Sequence, residues 1–482
     1  MEPQHILQPK PQQDMNEPQY MDPKLHFLDQ PQINMEPTDI NMLHPHGNSR
    51  FPSTPSTITL SDEPDQEAQL KSVNVDENTQ SPPVLSPISM QKLPLSERLR
   101  HFTWAWYTLT MSTGGLALLL AAQPFKFNGL PQIGLAVYIL DLVLFIMNCS
   151  LMTARFVYYD GFTGLINSIK HAREGFFFPT FWLSLATIIS GMYRYFGSNN
   201  ALNLYKDGGA PSKGFLIFLE ILFWLYCACT FSVAVFQYGF VFNSIPYPLQ
   251  TMMPSWILPA FPVMLSGTIA SVISESEPSR ASIPIAMAGT TFQGLGFSIS
   301  IFMYAHYIGR LMESGIPNSE HRPGMFICVG PPAFTCLAII GMAQGLPENL
   351  SFGSSTFLID ASNENKNLIF SDKHIVELIA IMAGSFLWAL SFWFFSLAAY
   401  SVFRSPPKAF HLNWWAMVFP NTGFTIATIT LGKSLKSDGV KGVGAGMSVL
   451  IVCMWLFVAF NHLRAVLNKS IMWPGKDEDI NE

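Results

Sequence analysis

Ten stretches of mostly apolar residues recur along this chain, at 102–121, 132–156, 177–197, 215–243, 255–274, 283–309, 323–342, 374–402, 412–432 and 443–468. Each has about the 20-residue length a helix needs to cross the hydrocarbon core of a bilayer. Segments of this kind must satisfy their backbone groups internally, so the expected fold is an all-α membrane protein of about ten transmembrane helices. The composition agrees: 49% of residues are hydrophobic and 12% are charged, against about 25% charged in soluble domains. Residues 1–97 differ from the rest. They are rich in Pro, Gln, Asn, Asp and Ser and hold no apolar run able to offset the entropy of ordering, so a disordered tail is expected there. The Thr54-Pro55, Ser81-Pro82 and Ser86-Pro87 pairs in it are candidate kinase sites. A transport domain is expected over 98–470, with a short tail at 471–482. No cleavable leader is expected, so the first apolar stretch would serve as its own insertion signal.

The ten stretches alternate in kind. The first carries Thr113-Gly114-Gly115, the third Pro179, the fifth Pro259 and Pro262, the seventh Pro331-Pro332, and the ninth Pro420-Asn421-Thr422-Gly423. The even-numbered stretches hold almost no internal proline. The breaks return every 70–90 residues, very roughly, as five repeated helical hairpins would require. Proline removes a backbone donor and kinks a helix. In lipid the freed groups need protein or water. The odd helices are therefore expected inside, around a central water-accessible pore, with the even helices outside against lipid. Opened turns at Thr113, Gly114, Gly115, Pro262, Pro331, Pro332, Pro420, Asn421 and Thr422 would offer dipoles to an anion. Phe419, just before the ninth break, reads as a plug or as a packing residue.

Charged residues near the spans form the next set of candidates, because a charge in hydrocarbon is costly. Arg322 opens the seventh stretch, where a guanidinium could take a carboxylate or merely anchor the interface. Arg194, at the end of the third, reads as an interface anchor. Asp141 and Glu220 are possible proton relays, with structural hydrogen bonding and headgroup contact as the plainer readings. Lys and Arg cluster before the first stretch, around the second and eighth loops and after the last stretch, which places both termini in the cytoplasm by the positive-inside rule. Lys433, Lys436 and Lys441 fall on the opposite side and weaken that signal. The sequon Asn349-Leu350-Ser351 falls in the long outer loop.

Other classes find little support. The six cysteines lie in apolar stretches, without metal-ligand spacing. The net charge of −6 and the lack of a dense basic run argue against nucleic-acid binding. Gly294-x-Gly296 lacks the strand context of a nucleotide site. No catalytic constellation assembles, so neither an enzyme nor a cofactor is expected.

Several runs carry a resemblance. They are Arg98-Leu99-Arg100-His101-Phe102-Thr103-Trp104, Ser112-Thr113-Gly114-Gly115, Pro254-Ser255-Trp256-Ile257-Leu258-Pro259 and Phe292-Gln293-Gly294-Leu295-Gly296-Phe297. Arg322-Pro323-Gly324-Met325-Phe326, Val329-Gly330-Pro331-Pro332-Ala333-Phe334, Phe419-Pro420-Asn421 and Pro474-Gly475-Lys476-Asp477-Glu478-Asp479 complete the set. With these, the chain from about Ser96 to Asp479 resembles the fungal malic-acid branch of the tellurite-resistance/dicarboxylate transporter family. The same superfamily includes the plant slow-type anion channels. The resemblance implies five inner helices around a pore, Phe419 as the occluding ring, and a homotrimer with a pore in each subunit. It also implies plasma-membrane transport of malate and related C4-dicarboxylates such as succinate and fumarate. Sulfite efflux, performed by another branch, and proton-coupled dicarboxylate symport are the competing expectations.

Overall fold

The computed structural model describes residues 94–171, 173–197, 211–243, 247–274, 279–347 and 372–473, all within one compact unit, Pro87–Glu482. The expected tail up to residue 93, the sequon at Asn349 and the Pro474–Asp479 run lie outside those residues. The described elements are helical, and none is a strand. The principal helices are α1 (Tyr107–Ala122), α2 (Leu130–Arg155), α3 (Pro179–Phe196), α4 (Lys213–Asn243) and α5 (Phe261–Ile273), followed by α6 (Ser279–Ser314), α7 (Gly330–Gln344), α8 (Asp372–Arg404), α9 (Phe419–Ser434) and α10 (Asp438–Leu467).

The odd helices form the interior. α1 packs on α3, α3 on α5, α5 on α7, α7 on α9, and α9 returns to α1, so the ring closes. Each odd helix also packs against the even helix that follows it, which makes the five expected hairpins. Burial separates the two sets. The apolar windows of the first four inner segments are 72–94% buried, whereas those of the five outer helices are 22–33% buried. The outer faces present Phe236, Phe302, Phe386, Phe403, Leu450 and Phe460 to what must be lipid in a chain of this kind.

Nine described segments are long and apolar enough to cross a membrane on their own, and α9 brings the principal helices to the ten expected. The tenth, α9, is separated from its 3-10 segment at Val418 and carries Asn421, Lys433 and a row of threonines. It can afford this polarity because its neighbours in the ring, not lipid, surround it. The prolines, however, do not kink continuous helices. Every inner helix is entered through a 3-10 segment, at Trp104–Trp106, Glu174–Phe177, Pro254–Ala260, Ser319–Val329 and Leu412–Met417. Pro179, Pro262, Pro331 and Pro420 stand in the first two positions of the α-helices that follow. A first-turn amide has no intrahelical partner, so proline costs nothing there, and its ring forbids the α-helix from running back into the preceding turn.

Carbonyls at and near these junctions accept hydrogen bonds from side chains of the outer helices. Tyr226 of α4 donates to Pro262 O at 2.9 Å, and Tyr238 donates to Trp256 O at 2.9 Å. Tyr304 of α6 donates to Cys328 O at 2.9 Å, Ser391 of α8 to Val329 O at 3.3 Å, and Asn148 of α2 to Trp106 O at 3.1 Å. The outer helices are thus more than a lipid coat: they supply the polar groups that the broken inner helices need. Removing the Tyr304 hydroxyl leaves a buried carbonyl open. Tyr304→Phe is therefore expected to cost about 1–3 kcal/mol, read as a fall in thermal unfolding temperature in detergent. Tyr307, one turn on, has a buried hydroxyl with no partner. Tyr307→Phe should leave the unfolding temperature unchanged or raise it.

Candidate functional site: an aromatic constriction below a basic vestibule

Three phenylalanines meet on the ring axis. Phe261 and Phe419 are the first residues of α5 and α9, and Phe334 lies one turn inside α7. Phe334 stacks on Phe419 with centroids 5.0 Å apart and planes at 27°. Phe261 sits 5.8 Å from Phe334 and 6.1 Å from Phe419. All three are at most 5% exposed. Each ring rests on a glycine of the next inner helix. Phe419 lies against Gly115 of α1, where a Cβ would come within 3.2 Å of Cδ2, and Phe334 against Gly423 of α9, where a Cβ would come within 2.6 Å of Cε2. A Cβ on Gly330 of α7 would run into the Phe261 ring. Only a missing side chain on these helices gives the rings room to meet.

The constriction divides the axis. On the side of the 3-10 segments lies a space of about 20 Å³ among Thr108, Met111, Leu183, Ile327, Phe419 and Pro420. On the side of the helix C-termini lies a vestibule of about 310 Å³ that reaches Phe334 at one end. Such a volume holds several waters or a small organic ion. Ser190, Thr268, Ser271 and Thr430 give its walls hydroxyls, and Lys126, Arg194 and Lys433 stand around it. The expected open hydrated path is thus one vestibule ended by a closed aromatic stretch.

The predicted residues fall in different places. Phe419, Pro420, Thr422 and Gly115 come together at the constriction: Gly115 faces Thr422 as well as Phe419, and Thr422 Oγ1 donates to Phe419 O at 2.6 Å. Asn421 is 4% exposed; its Nδ2 donates to Met417 O at 2.8 Å and its Oδ1 has no partner. Thr113 turns outward, donating to Leu109 O and accepting from Trp455 Nε1 of α10 at 3.2 Å. Gly114 faces Asp141 of α2 and Thr187 of α3. Pro262, Pro331 and Pro332 are buried at their helix starts and line neither cavity. Arg322 lies off the axis, donating to Pro317 O at 3.0 Å and to Ser401 O of α8 at 2.8 Å. Asp141 is fully buried with neither oxygen hydrogen-bonded, and Glu220 is half-buried on α4. Neither carboxylate lines the vestibule or the small space beyond the constriction.

Sequence reasoning missed Phe261, Phe334, Lys126 and Lys433, and gave Arg194 only an interfacial part. One signal was available: Phe261-Pro262 repeats the Phe419-Pro420 pair, which marks a ring at the start of a second inner helix.

A closed ring of inner helices, shut by aromatic rings below a basic vestibule, defines a multi-pass membrane protein built to pass small anions. The chain belongs to the SLAC1 voltage-dependent anion channel family, whose profile matches residues 101–463. It is 34% identical over 393 residues to the malic acid transport protein of Schizosaccharomyces pombe, covering 81% of this chain and 84% of that one. A second protein of that yeast, provisionally named for malic acid transport, is 34% identical over 81% of this chain and 85% of its own length. A sulfite efflux pump of Trichophyton rubrum is 23% identical, covering 75% of this chain and 89% of the pump.

Proposed function

We propose that this protein moves four-carbon dicarboxylates, malate foremost, across the plasma membrane along the axis of its inner ring, with Phe419 as the gate. The observation that carries the reading is the 310 Å³ basic vestibule ending on stacked aromatic rings. Two features support an anionic substrate. Cations gather at the vestibule, and the α5, α7 and α9 helices begin at the constriction, with Phe261, Gly330 and Phe419 as their first residues. A helix N-terminus presents partial positive charge from its amides. An anion leaving the vestibule thus approaches helix ends of the favourable sign, with no fixed charge in its way to trap it. The higher identity to malic acid transport proteins than to a sulfite pump supports a dicarboxylate over sulfite. Asp141 and Glu220 enter neither cavity, which favours channel-like passage over a proton relay. With both termini cytoplasmic, the vestibule faces outward, and the assembly is a trimer with one path in each subunit.

Purified protein in liposomes tests the reading. Malate flux should follow an imposed potential, since each charge gains about 2.3 kcal/mol per 100 mV, and should proceed without a pH gradient. Sulfite flux without malate flux would assign the chain to the other activity. Malate flux that needs a proton gradient would move the mechanism to a symporter and Asp141 to its centre.

A further inference from the structure

Lys433 is one of the lysines that run against the positive-inside pattern, and the structure gives it a place. It stands in the last turn of α9 at the vestibule, where its Nζ donates to Ala122 O at the end of α1, 2.8 Å away. Its charged neighbours are Arg194 of α3, Lys126 and Lys441. Lys441 is held by Asp438 at 2.9 Å, but Arg194 and Lys126 make no described ion pair or hydrogen bond. Among the described residues no carboxylate lines this cavity. Like charges gathered without an acid repel one another, and capping the C-termini of helices accounts for only part of the arrangement. A second observation points the same way. Thr268 Oγ1 is buried in the vestibule wall without a hydrogen-bond partner, although Ser271 beside it donates to Thr268 O. A buried hydroxyl left unpaired carries a free-energy cost that a ligand would relieve.

Resting on the dicarboxylate reading above, we infer that the vestibule is a binding station for a two-carboxylate anion, in which Arg194 and Lys433 each take one carboxylate and Thr268 takes the 2-hydroxyl of malate. The ring geometry supplies the reason for two cations. α3 and α9 flank α1 on opposite sides, so Arg194 and Lys433 reach the vestibule from separate walls. A chain with a charge at each end engages both walls, whereas a compact monoanion engages one. Arg194 is the bidentate partner, with a planar fork that matches a carboxylate. Lys126, exposed beyond the end of α1, draws anions inward.

The test uses the full chain in liposomes, with half-saturation and rate measured for malate, succinate and nitrate. Arg194→Gln and Lys433→Gln should each raise the malate half-saturation about tenfold and lower the malate-to-nitrate flux ratio by a similar factor, as expected for one lost charge-assisted bond. Arg194→Lys should restore only part of the ratio, because an ammonium keeps the charge and loses the planar fork. Thr268→Val should weaken malate more than succinate, which lacks the hydroxyl. Parallel loss of malate and nitrate flux in the glutamine variants would reduce the cations to helix caps or general attractors and overturn the station. Arg194→Gln is decisive if Lys433→Gln misfolds, because Arg194 donates to no backbone carbonyl among the described residues. Equal effects of Thr268→Val on malate and succinate would remove Thr268 from the site. Wild-type protein that carries nitrate but neither dicarboxylate would defeat the function proposed above. Wild-type malate flux with unaltered half-saturation in Arg194→Gln would defeat the station alone.

Discussion

Phe419→Ala should raise anion flux at least tenfold, the equivalent of about 1.4 kcal/mol off the barrier to passage. The ring is 1% exposed and fills the axis between Gly115, Phe261 and Phe334. While it stays there, a hydrated carboxylate meets an apolar wall with no group to replace its water, and desolvating a charge without a partner is prohibitive. Truncation removes the largest part of that wall and lets water from the vestibule reach the space beyond. The same change deletes core packing, and an alanine in place of a buried phenylalanine costs about 3–5 kcal/mol of stability. The two effects have separate readouts. Flux per correctly folded molecule should rise while the unfolding temperature falls. A ring that only packs would give the fall without the rise. Phe334→Ala should act in the same direction, since it stacks on Phe419 and faces the vestibule.

The second large effect concerns assembly rather than passage. Arg155, at the end of α2, pairs with Glu174 at 2.6 Å and with Asp160 at 2.9 Å, and it also donates to Phe102 O. Its side chain and that of Glu174 are at most 9% exposed. Glu174 opens the 3-10 segment that leads into α3, and Phe102 precedes the one that leads into α1. One guanidinium thus fixes the entry of two inner helices against an outer one. Arg155→Ala takes the guanidinium away from both carboxylates, and breaking a buried pair such as Arg155–Glu174 costs about 3–5 kcal/mol. The expected result is poor recovery of folded protein, or a large fall in unfolding temperature for what is recovered. Arg155→Met combined with Glu174→Leu should regain part of the loss, because an apolar pair carries no desolvation penalty. A double variant no better than Arg155→Ala would show that the hydrogen bond to Phe102 O, not the charge, holds the junction.

The sequence alone determined the architecture of this protein. Spans of bilayer length can only be helices, and prolines concentrated in alternate spans belong to helices sheltered from lipid, so hairpins, ring and membrane setting were all legible. Phe419 was legible as a ring beside a helix break. What only the tertiary structure decided was the direction in which each candidate faces. Thr113, Gly114 and Gly115 are consecutive, yet they face α10, the α2–α3 seam and the constriction in turn, because successive residues on a helix point about 100° apart. Arg322 carries the right chemistry for an anion, but the long 3-10 turn before α7 directs it to the carbonyl of Ser401. Arg194 and Lys433 lie far apart in sequence and in separate spans, and only closure of the ring brings them to one cavity. Periodicity fixes which face of a helix is buried. Which neighbour that face meets depends on contacts between distant segments, and no local pattern encodes them.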